Sequence, residues 1–474
     1  MIKYTYQMRE RKGIKMKTRK LLLTIIAVIA LCLLMTATAF ADTKTTPINM
    51  GDTVKDSFTA GNYQVYEYTF TLANSGNLKI NFTNDSDDFI EYTLEEVVDA
   101  DTKHIEGGQV RKGDTPYEDE LAAGKYVITV NNNYSSGNIN FSFTTTFTKA
   151  KESYTGDNNS INVIRNSDAL PFGTKVYGHL AQNDEEDWYK IKLTSSGKLT
   201  IALHTAIKNV NLEIRDADEN YIAAEYVGKG DETFKYELIK GTYYIHFDQT
   251  DGYGAYNFKP TFTKSGETYQ YENDSINLVR KKAAIPFATT IKGHFAIGDQ
   301  QDYYKLSVPK AGKYTFKITN NTTDTTDFEV RTKDDEYVAE FYHDKGTKSY
   351  KVDLKKGTYY LKFYRLSGDN GNYSFKVTPS AVSLKKLTKP SKGAIKVTWN
   401  KGTGNGYQIQ YSTSSTFKSG NKTKLITSNT TTSKTIKSLK SKKTYYVRIR
   451  TYVTGSDGKK IWSNWSSKKK ITTL

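Results

Sequence analysis

The residues best suited to chemistry lie in two short acidic segments, the second a copy of the first about 115 residues further on. Glu272-Asn273-Asp274 is followed by Asp299 and Asp302, and Asp157-Asn158-Asn159 is followed by Asp184 and Asp187. Calcium takes six to eight oxygens at about 2.3–2.6 Å, and carboxylates and amides carried on loops can supply them. Both segments are therefore expected to hold Ca²⁺. Without a metal, the same Asn and Asp residues would cap and turn the chain just before its first strand. A more distant, earlier copy has Gln64 and Gly61 where the loop aspartates would stand, and no calcium is expected there.

A second feature tracks the first. Trp188, Tyr244, Tyr303 and Tyr360 alternate with the apolar residues of their strands, which assigns them to an outward face. Flat rings beside polar groups are surfaces on which sugars or extended peptides stack. This face is expected to bind an extracellular glycan or protein ligand, unless a neighbouring element covers it. The earlier copy has only Val65 and Val127 there.

Catalytic patterns are missing. The six histidines (His104, His179, His204, His246, His294 and His343) fall singly on strands or loops, none in a spacing such as H-E-x-x-H. Neither G-x-S-x-G nor a phosphate loop occurs. The expectation is a protein that is not an enzyme. Near the C-terminus, Trp462 and Trp465 follow Arg448 and Arg450. Their rings and guanidinium groups are expected to interleave as a stabilising cation–π ladder, each layer contributing roughly 0.5–2 kcal/mol.

Positioning these residues calls for an all-β chain of tandem antiparallel sandwiches. Tyr, Thr, Val and Ile alternate with polar residues in short runs broken by Gly, Asn and Asp, which is strand and hairpin chemistry. No sustained 3.6-residue apolar period occurs beyond residue 41, so helices should be few. GHLAQNDEEDWYKIKLTSSGKLTI from Gly178 recurs as GHFAIGDQQDYYKLSVPKAGKYTF from Gly293, and KGTYYIHF around Gly241 as KGTYYLKF around Gly357. A weaker copy runs from Tyr63 and includes AAGKYVITV around Gly124. A period this long means tandem domains rather than a solenoid. The boundaries read as 42–149, 150–265, 266–379 and a different last segment, 380–474.

On NDSI, the G-H-x-A…D-x-x-D-[WY]-Y segment, the S-x-G-K hairpin and G-T-Y-Y, the three repeats resemble bacterial pre-peptidase C-terminal domains, relatives of collagenase collagen-binding domains. The resemblance implies jelly-roll-like sandwiches that accompany a catalytic domain as binding or folding accessories. It also implies acidic and Asn calcium ligands at the positions above, with Gln270 in place of an upstream acid. The last segment, with IKVTWN, GYQIQYSTSSTF and TIKSLKSKKTYYVRIRTYV, resembles a fibronectin type III domain. That implies Trp399 as the core tryptophan and Leu439 with Tyr445 as the corner that ties the sandwich.

The N-terminus reads as an export signal. Basic residues between Lys3 and Lys20 precede the run LLLTIIAVIALCLLM and Ala39-Phe40-Ala41, so cleavage is expected after Ala41, whether the start is Met1 or Met16. The alternative is an uncleaved anchor. Cys32, the only cysteine, lies inside that run with Leu31 before it, which argues against lipidation. The mature chain should be extracellular, free of disulfides and without a membrane span. Charge is divided unevenly: residues 380–474 hold 21 Lys and Arg against one acid, Asp457, a formal +20. With +7 on residues 1–41 and +17 overall, residues 42–379 carry −10. Such asymmetry points to an anionic partner for the last domain, a cell-wall polymer or acidic surface rather than nucleic acid. The functional expectation is a secreted, surface-associated binding or adhesion protein. An inert spacer or an accessory subunit of an exported hydrolase are the alternatives.

Overall fold

The computed structural model describes residues 42–474 apart from 134, 155–156, 323–324 and 367–369. The signal segment, its cleavage site and Cys32 lie outside the described residues. The chain is nearly all strand, in successive antiparallel sheets. Among the described residues no helix is long and apolar enough to cross a membrane. The chain divides into two compact units, one ending at Ala150 and one spanning Lys151–Leu474.

The first unit packs a five-stranded sheet against a four-stranded one. The first has the order Asp42–Pro47, Gln64–Leu72, Gly124–Asn131, Ile90–Val98, Asp101–Val110. The second has the order Thr53–Phe58, Ile139–Lys149, Gly76–Asn84, Gly113–Leu121. Alternation supplies the core: the inward residues of Gly76–Asn84, Leu78, Ile80 and Phe82, are fully buried. Phe58 stacks on Tyr66 and Phe141 with ring centroids 4.7 and 5.0 Å apart, bridging the two sheets.

The second unit opens with two sandwiches of the same plan. In residues 266–379 one sheet has the order Ile291–Phe295, Gly371–Pro379, Gly312–Asn320, Gly346–Leu354. The facing sheet has the order Gln301–Val308, Gly357–Arg365, Thr326–Thr332, Tyr337–His343. In the preceding copy the long strand Gly197–Asp216 passes through both layers. Its first half pairs with Gly254–Lys264 and its second half with Gly241–Asp251, with a register break between Thr205 and Asn209. A bulge of this kind bends a strand enough to turn the corner of a sandwich. Hairpin tyrosines recur two residues after a glycine. Tyr126, Tyr243 and Tyr359 each donate a hydroxyl proton to the carbonyl four residues back, at 2.7, 3.1 and 3.2 Å.

Residues 380–474 form a further sandwich. Leu384–Thr388, Ile395–Trp399 and Ser433–Ile436 make one sheet; Lys422–Ile426, Gly406–Ser412, Thr444–Thr454 and Lys460–Trp462 make the other, joined by Lys469–Thr472. Trp399 is fully buried and meets Tyr407 edge-on at 5.4 Å. The Tyr445 hydroxyl accepts the Lys440 N–H at 3.1 Å, and Leu439 packs against the same core. Gly393 adopts φ +64, and a side chain there would press on the Leu439 carbonyl at 2.8 Å. On the outer face Arg448 lies between Phe417 (4.2 Å) and Trp465 (4.5 Å), and Arg450 between Trp465 (4.3 Å) and Trp462 (4.1 Å). Each guanidinium also donates its Nε–H, to Gln410 at 2.7 Å and Gln408 at 2.8 Å.

Trp399→Ala empties a closed core site and should destabilise this sandwich by roughly 3–5 kcal/mol. Trp465→Ala removes a half-buried ring of the ladder and should cost clearly less. Denaturant unfolding of the full chain, followed by the fluorescence change of this domain, measures both; equal costs would reverse the two roles.

Candidate functional site

Asp302 begins the inward side of strand Gln301–Val308 and is only 1% exposed. Tyr373, from the facing sheet, donates its hydroxyl to Asp302 Oδ2 at 2.5 Å, and Asn273 donates its Nδ2 to Oδ1 at 2.5 Å. The Tyr304 and Tyr373 hydroxyls lie 2.8 Å apart, and the Asn273 carbonyl accepts the Tyr303 N–H at 2.7 Å. The preceding sandwich repeats the arrangement. Asp187, 4% exposed, accepts from Tyr256 and Asn158 at 2.5 Å each, with Tyr189 2.9 Å from Tyr256. Both braces need glycine beside them: a Cβ at Gly293 would fall 2.2 Å from the Tyr373 ring, and one at Gly178 2.2 Å from that of Tyr256.

Burial dominates the electrostatics of these acids. It pushes the Asp187 carboxyl up to about 7, with the nearby Asp184 adding to the rise and the Tyr256 and Asn158 bonds opposing it. Asp302 is pushed upward by burial first and by Asp299 second. Asn158, Asp187, Asn273 and Asp302 were expected to face a cation. They face one another instead, as the polar brace of each sandwich, because only a tyrosine and an amide reach a carboxyl this deep.

The remaining acids are arranged differently. Asp299 sits in the turn closed by the Ala296–Asp299 bridge, and its Oδ1 is buried without a hydrogen-bond partner. Burial pushes its carboxyl up to about 7, and Asp274 and Glu267 push in the same direction. Glu267, Glu272, Asp274 and Asp299 open onto one cavity of about 340 Å³, whose other wall includes Ile239 and Lys240 of the preceding sandwich. In the copy, Asp184 Oδ1 is likewise buried and unpaired. Burial raises that carboxyl to about 6, Glu152 and Asp157 add to the rise, and an Asn159 bond opposes it. Glu152 and Glu267 escaped the sequence reading, although the 115-residue spacing that matches the other acids also matches these two. Gln270 lines the same cavity, so the acid expected at its position is supplied three residues earlier. Among the described residues, the three acids whose ligand atoms all lie within 4.8 Å of one another are Asp327, Glu329 and Glu340. Glu329 there is already paired with Arg331, and with Lys362 at 3.3 Å.

The expected aromatic binding face is not exposed. Trp188, Tyr244, Tyr303 and Tyr360 are 8%, 2%, 9% and 4% accessible. The residues after each Asn-rich segment form a short helix where a first strand was expected: α1 (Ile161–Ile164) and α2 (Ile276–Arg280), capped by Ser160 and Ser275, whose side chains accept from Val163 and Leu278 N–H groups. Ile161 and Ile164 cover Trp188 and Tyr244; Ile276 and Val279 cover Tyr303 and Tyr360. Lys190 and Lys305 reach the helix-end carbonyls of Arg165 and Arg280 at 2.9 and 2.8 Å and pin each helix to its sheet. Trp188 is further stacked on His246 at 3.8 Å. Of the other histidines, His294 is buried and holds Glu237 of the preceding sandwich at 3.0 Å.

The raised carboxyls set a pH dependence. Folded Asp187 keeps its proton to about pH 7, whereas in the unfolded chain it loses it near its ordinary value of 3.8. The folded state therefore binds more protons between these limits, and its stability falls as pH rises through that window. In metal-free buffer the melting temperature should be higher at pH 5 than at pH 8. Asp187→Asn and Asp302→Asn, which mimic the protonated acid, should flatten that slope. A slope unchanged in both variants would assign the pH dependence elsewhere.

No family model matches the chain. Among solved structures, it is similar to a pre-peptidase C-terminal domain of a collagenase from Bacillus anthracis, 26% identical over 21% of this chain and 98% of that one, TM-score 0.19. A protein described as a myokine is 17% identical over 20% of this chain and 95% of that one, TM-score 0.15. A β-1,2-glucanase from Parabacteroides distasonis is 12% identical over 39% of this chain and 32% of that one, TM-score 0.18. With TM-scores this low, the three likenesses leave the function to the residues themselves.

Proposed function

We propose that the chain is a secreted, non-catalytic protein held at an anionic surface by its last domain, residues 380–474, a fibronectin type III-like sandwich. The observation that carries this reading is the state of that domain's cations. Arg448 and Arg450 are engaged in the internal ladder, and the rest are lysines. Its one acid, Asp457, lies 3.4 Å from Lys459. Lys385, Lys386, Lys389 and Lys392, then Lys440, Lys442 and Lys443, then Lys468, Lys469 and Lys470 form three exposed groups at strand ends and turns. Exposed ammonium groups of this kind attract polyanions through a screened field reaching about 10 Å at 0.1 M salt and about 3 Å at 1 M. The acidic sandwiches ahead of it act as a spacer or carrier. Two of their strongly perturbed acids, Asp187 and Asp302, are sealed inside, which supports a structural and not a catalytic use.

Retention of the mature chain on an immobilised polyanion should fall steeply between 0.1 and 1 M salt. Replacing Lys440, Lys442 and Lys443 by Gln should lower the salt needed for elution. Retention indifferent to salt would reduce the lysines to a solubility role.

We also propose calcium at the two acidic clusters. Glu267, Glu272, Asp274 and Asp299 would hold it in one sandwich and Glu152, Asp157, Asn159 and Asp184 in the other. The unpaired buried oxygens of Asp299 and Asp184, and the way neighbouring acids raise each other, support this. A bound ion would add to the small opposing effect of Arg365 on Asp299 and of His179 on Asp184. A ligand at about 100 times its dissociation constant stabilises the fold by about 2.7 kcal/mol, several degrees in melting temperature. Millimolar calcium should produce such a shift at pH 8, and Glu267→Gln with Asp299→Asn should remove most of it. An unshifted wild-type transition would exclude the site.

A further inference from the structure

Lys317 stands directly opposite Lys376 on neighbouring strands of the sheet that borders the last domain. Like charges facing each other across a ladder destabilise it, and among the described residues neither lysine has an acid in ion-pair range. The matching positions in the preceding sandwich are Ala202 and Lys259, and in the first unit Asn81 and Thr144. The double-lysine pair thus belongs to a sandwich that touches the C-terminal domain. The two are joined by Lys313, whose N–H donates to Thr403 Oγ1 at 2.9 Å, and whose carbonyl accepts from Ser380 N–H at 2.9 Å.

Lys376 and Asn464 line both of two adjoining cavities between that sheet and the last domain, of about 1120 and 240 Å³. The larger is edged by Lys356, Lys460 and Arg450, the last at the end of the ladder beside Trp462. The smaller has Lys317 with the hydroxyls of Thr319 and Ser374. Cations therefore border both cavities together with hydroxyl and amide groups, with Asp457 on the larger one.

We propose that this groove binds an acidic polysaccharide chain. Its carboxylates lie against Lys317, Lys376 and Lys356, and its hydroxyls against Thr319, Ser374 and Asn464. Lysine acts as a point charge and does not demand the planar, two-pronged contact that arginine makes. It therefore suits carboxylates spaced along a flexible chain. The string of cations across two cavities fits a polymer better than a single small anion. The uncharged hydroxyl and amide groups between them fit sugar hydroxyls better than an acidic peptide. A ladder that keeps two facing lysines gives up stability for a use elsewhere.

This inference rests on the reading of residues 380–474 as the anion-facing domain, adds the ligand class, and extends the binding surface onto the sandwich that carries that domain. Binding of the mature full-length chain to polygalacturonate, poly-glutamate and neutral dextran at 0.1 M salt tests it. Wild type should prefer polygalacturonate. Lys317→Ser with Lys376→Ser should weaken that binding at least tenfold, with a melting temperature unchanged or higher, because the repulsion is gone. Replacing Lys468, Lys469 and Lys470 by Gln should weaken it less than threefold. A double variant that binds as wild type, or a preference for poly-glutamate or dextran, would overturn the groove while leaving a polyanion-binding domain in place. A wild type that retains none of the charged polymers would overturn both.

Discussion

In each of two sandwiches a carboxyl group that cannot reach water joins three separate pieces of chain. Asp302 belongs to one sheet, Tyr373 to the other, and Asn273 to the segment leading into α2. A buried polar group without partners would cost several kcal/mol, so the tyrosine and the amide must both be present for the aspartate to stay. The surrounding features follow from this need. Gly293 makes room for the tyrosine ring, and Ser275 starts a helix just after the amide. The helix then closes over Tyr303 and Tyr360 on the other side of the strand.

The sequence carried some of this openly and hid the rest. The alternation in DWYKIKL and GTYYIHF set the strands and the inward side, and the 115-residue spacing marked the matched acids. Trp399 and Tyr445 stood in patterns whose geometry depends on local order alone. The covered aromatic face was hidden because period-2 alternation says which residues share a side, not what lies on it. Four or five residues with a serine cap are too short to show a helical period. Nor does sequence tell an acid that turns inward to a tyrosine from one that lines a cavity. Asp302 and Asp299 are three residues apart, and the first does the one and the second the other.

The first unit shows what the brace replaces. At the places of Asp187, Tyr189 and Tyr256 it has Tyr66, Tyr68 and Phe141, and there Phe58 stacks on Tyr66 and Phe141 at 4.7 and 5.0 Å. An all-aromatic bridge between sheets needs no buried charge. A sandwich can therefore be closed without the acid, and the acid in the two later copies answers to something besides closure. Those are also the copies in which Asp184 and Asp299 each keep one buried oxygen, Oδ1, without a hydrogen bond.

The two acids of each loop are linked through their charges. Asp299 raises Asp302, and Asp184 raises Asp187. A buried carboxyl is tolerated when it is neutral or when a positive charge stands close to it. Below about pH 7 the proton on Asp187 supplies neutrality, and burial likewise favours the protonated form of Asp302. Once the proton leaves, a brace holds a negative charge that its tyrosine and amide donors only partly stabilise. A cation on the Asp299 or Asp184 side would relieve both members of the pair at once. Residues 42–474 contain no cysteine, so these sandwiches have no covalent link between sheets to fall back on. Where a disulfide would contribute about 2–4 kcal/mol irrespective of pH, the Tyr–Asp–Asn brace makes the tie between sheets depend on the protonation of a buried carboxyl.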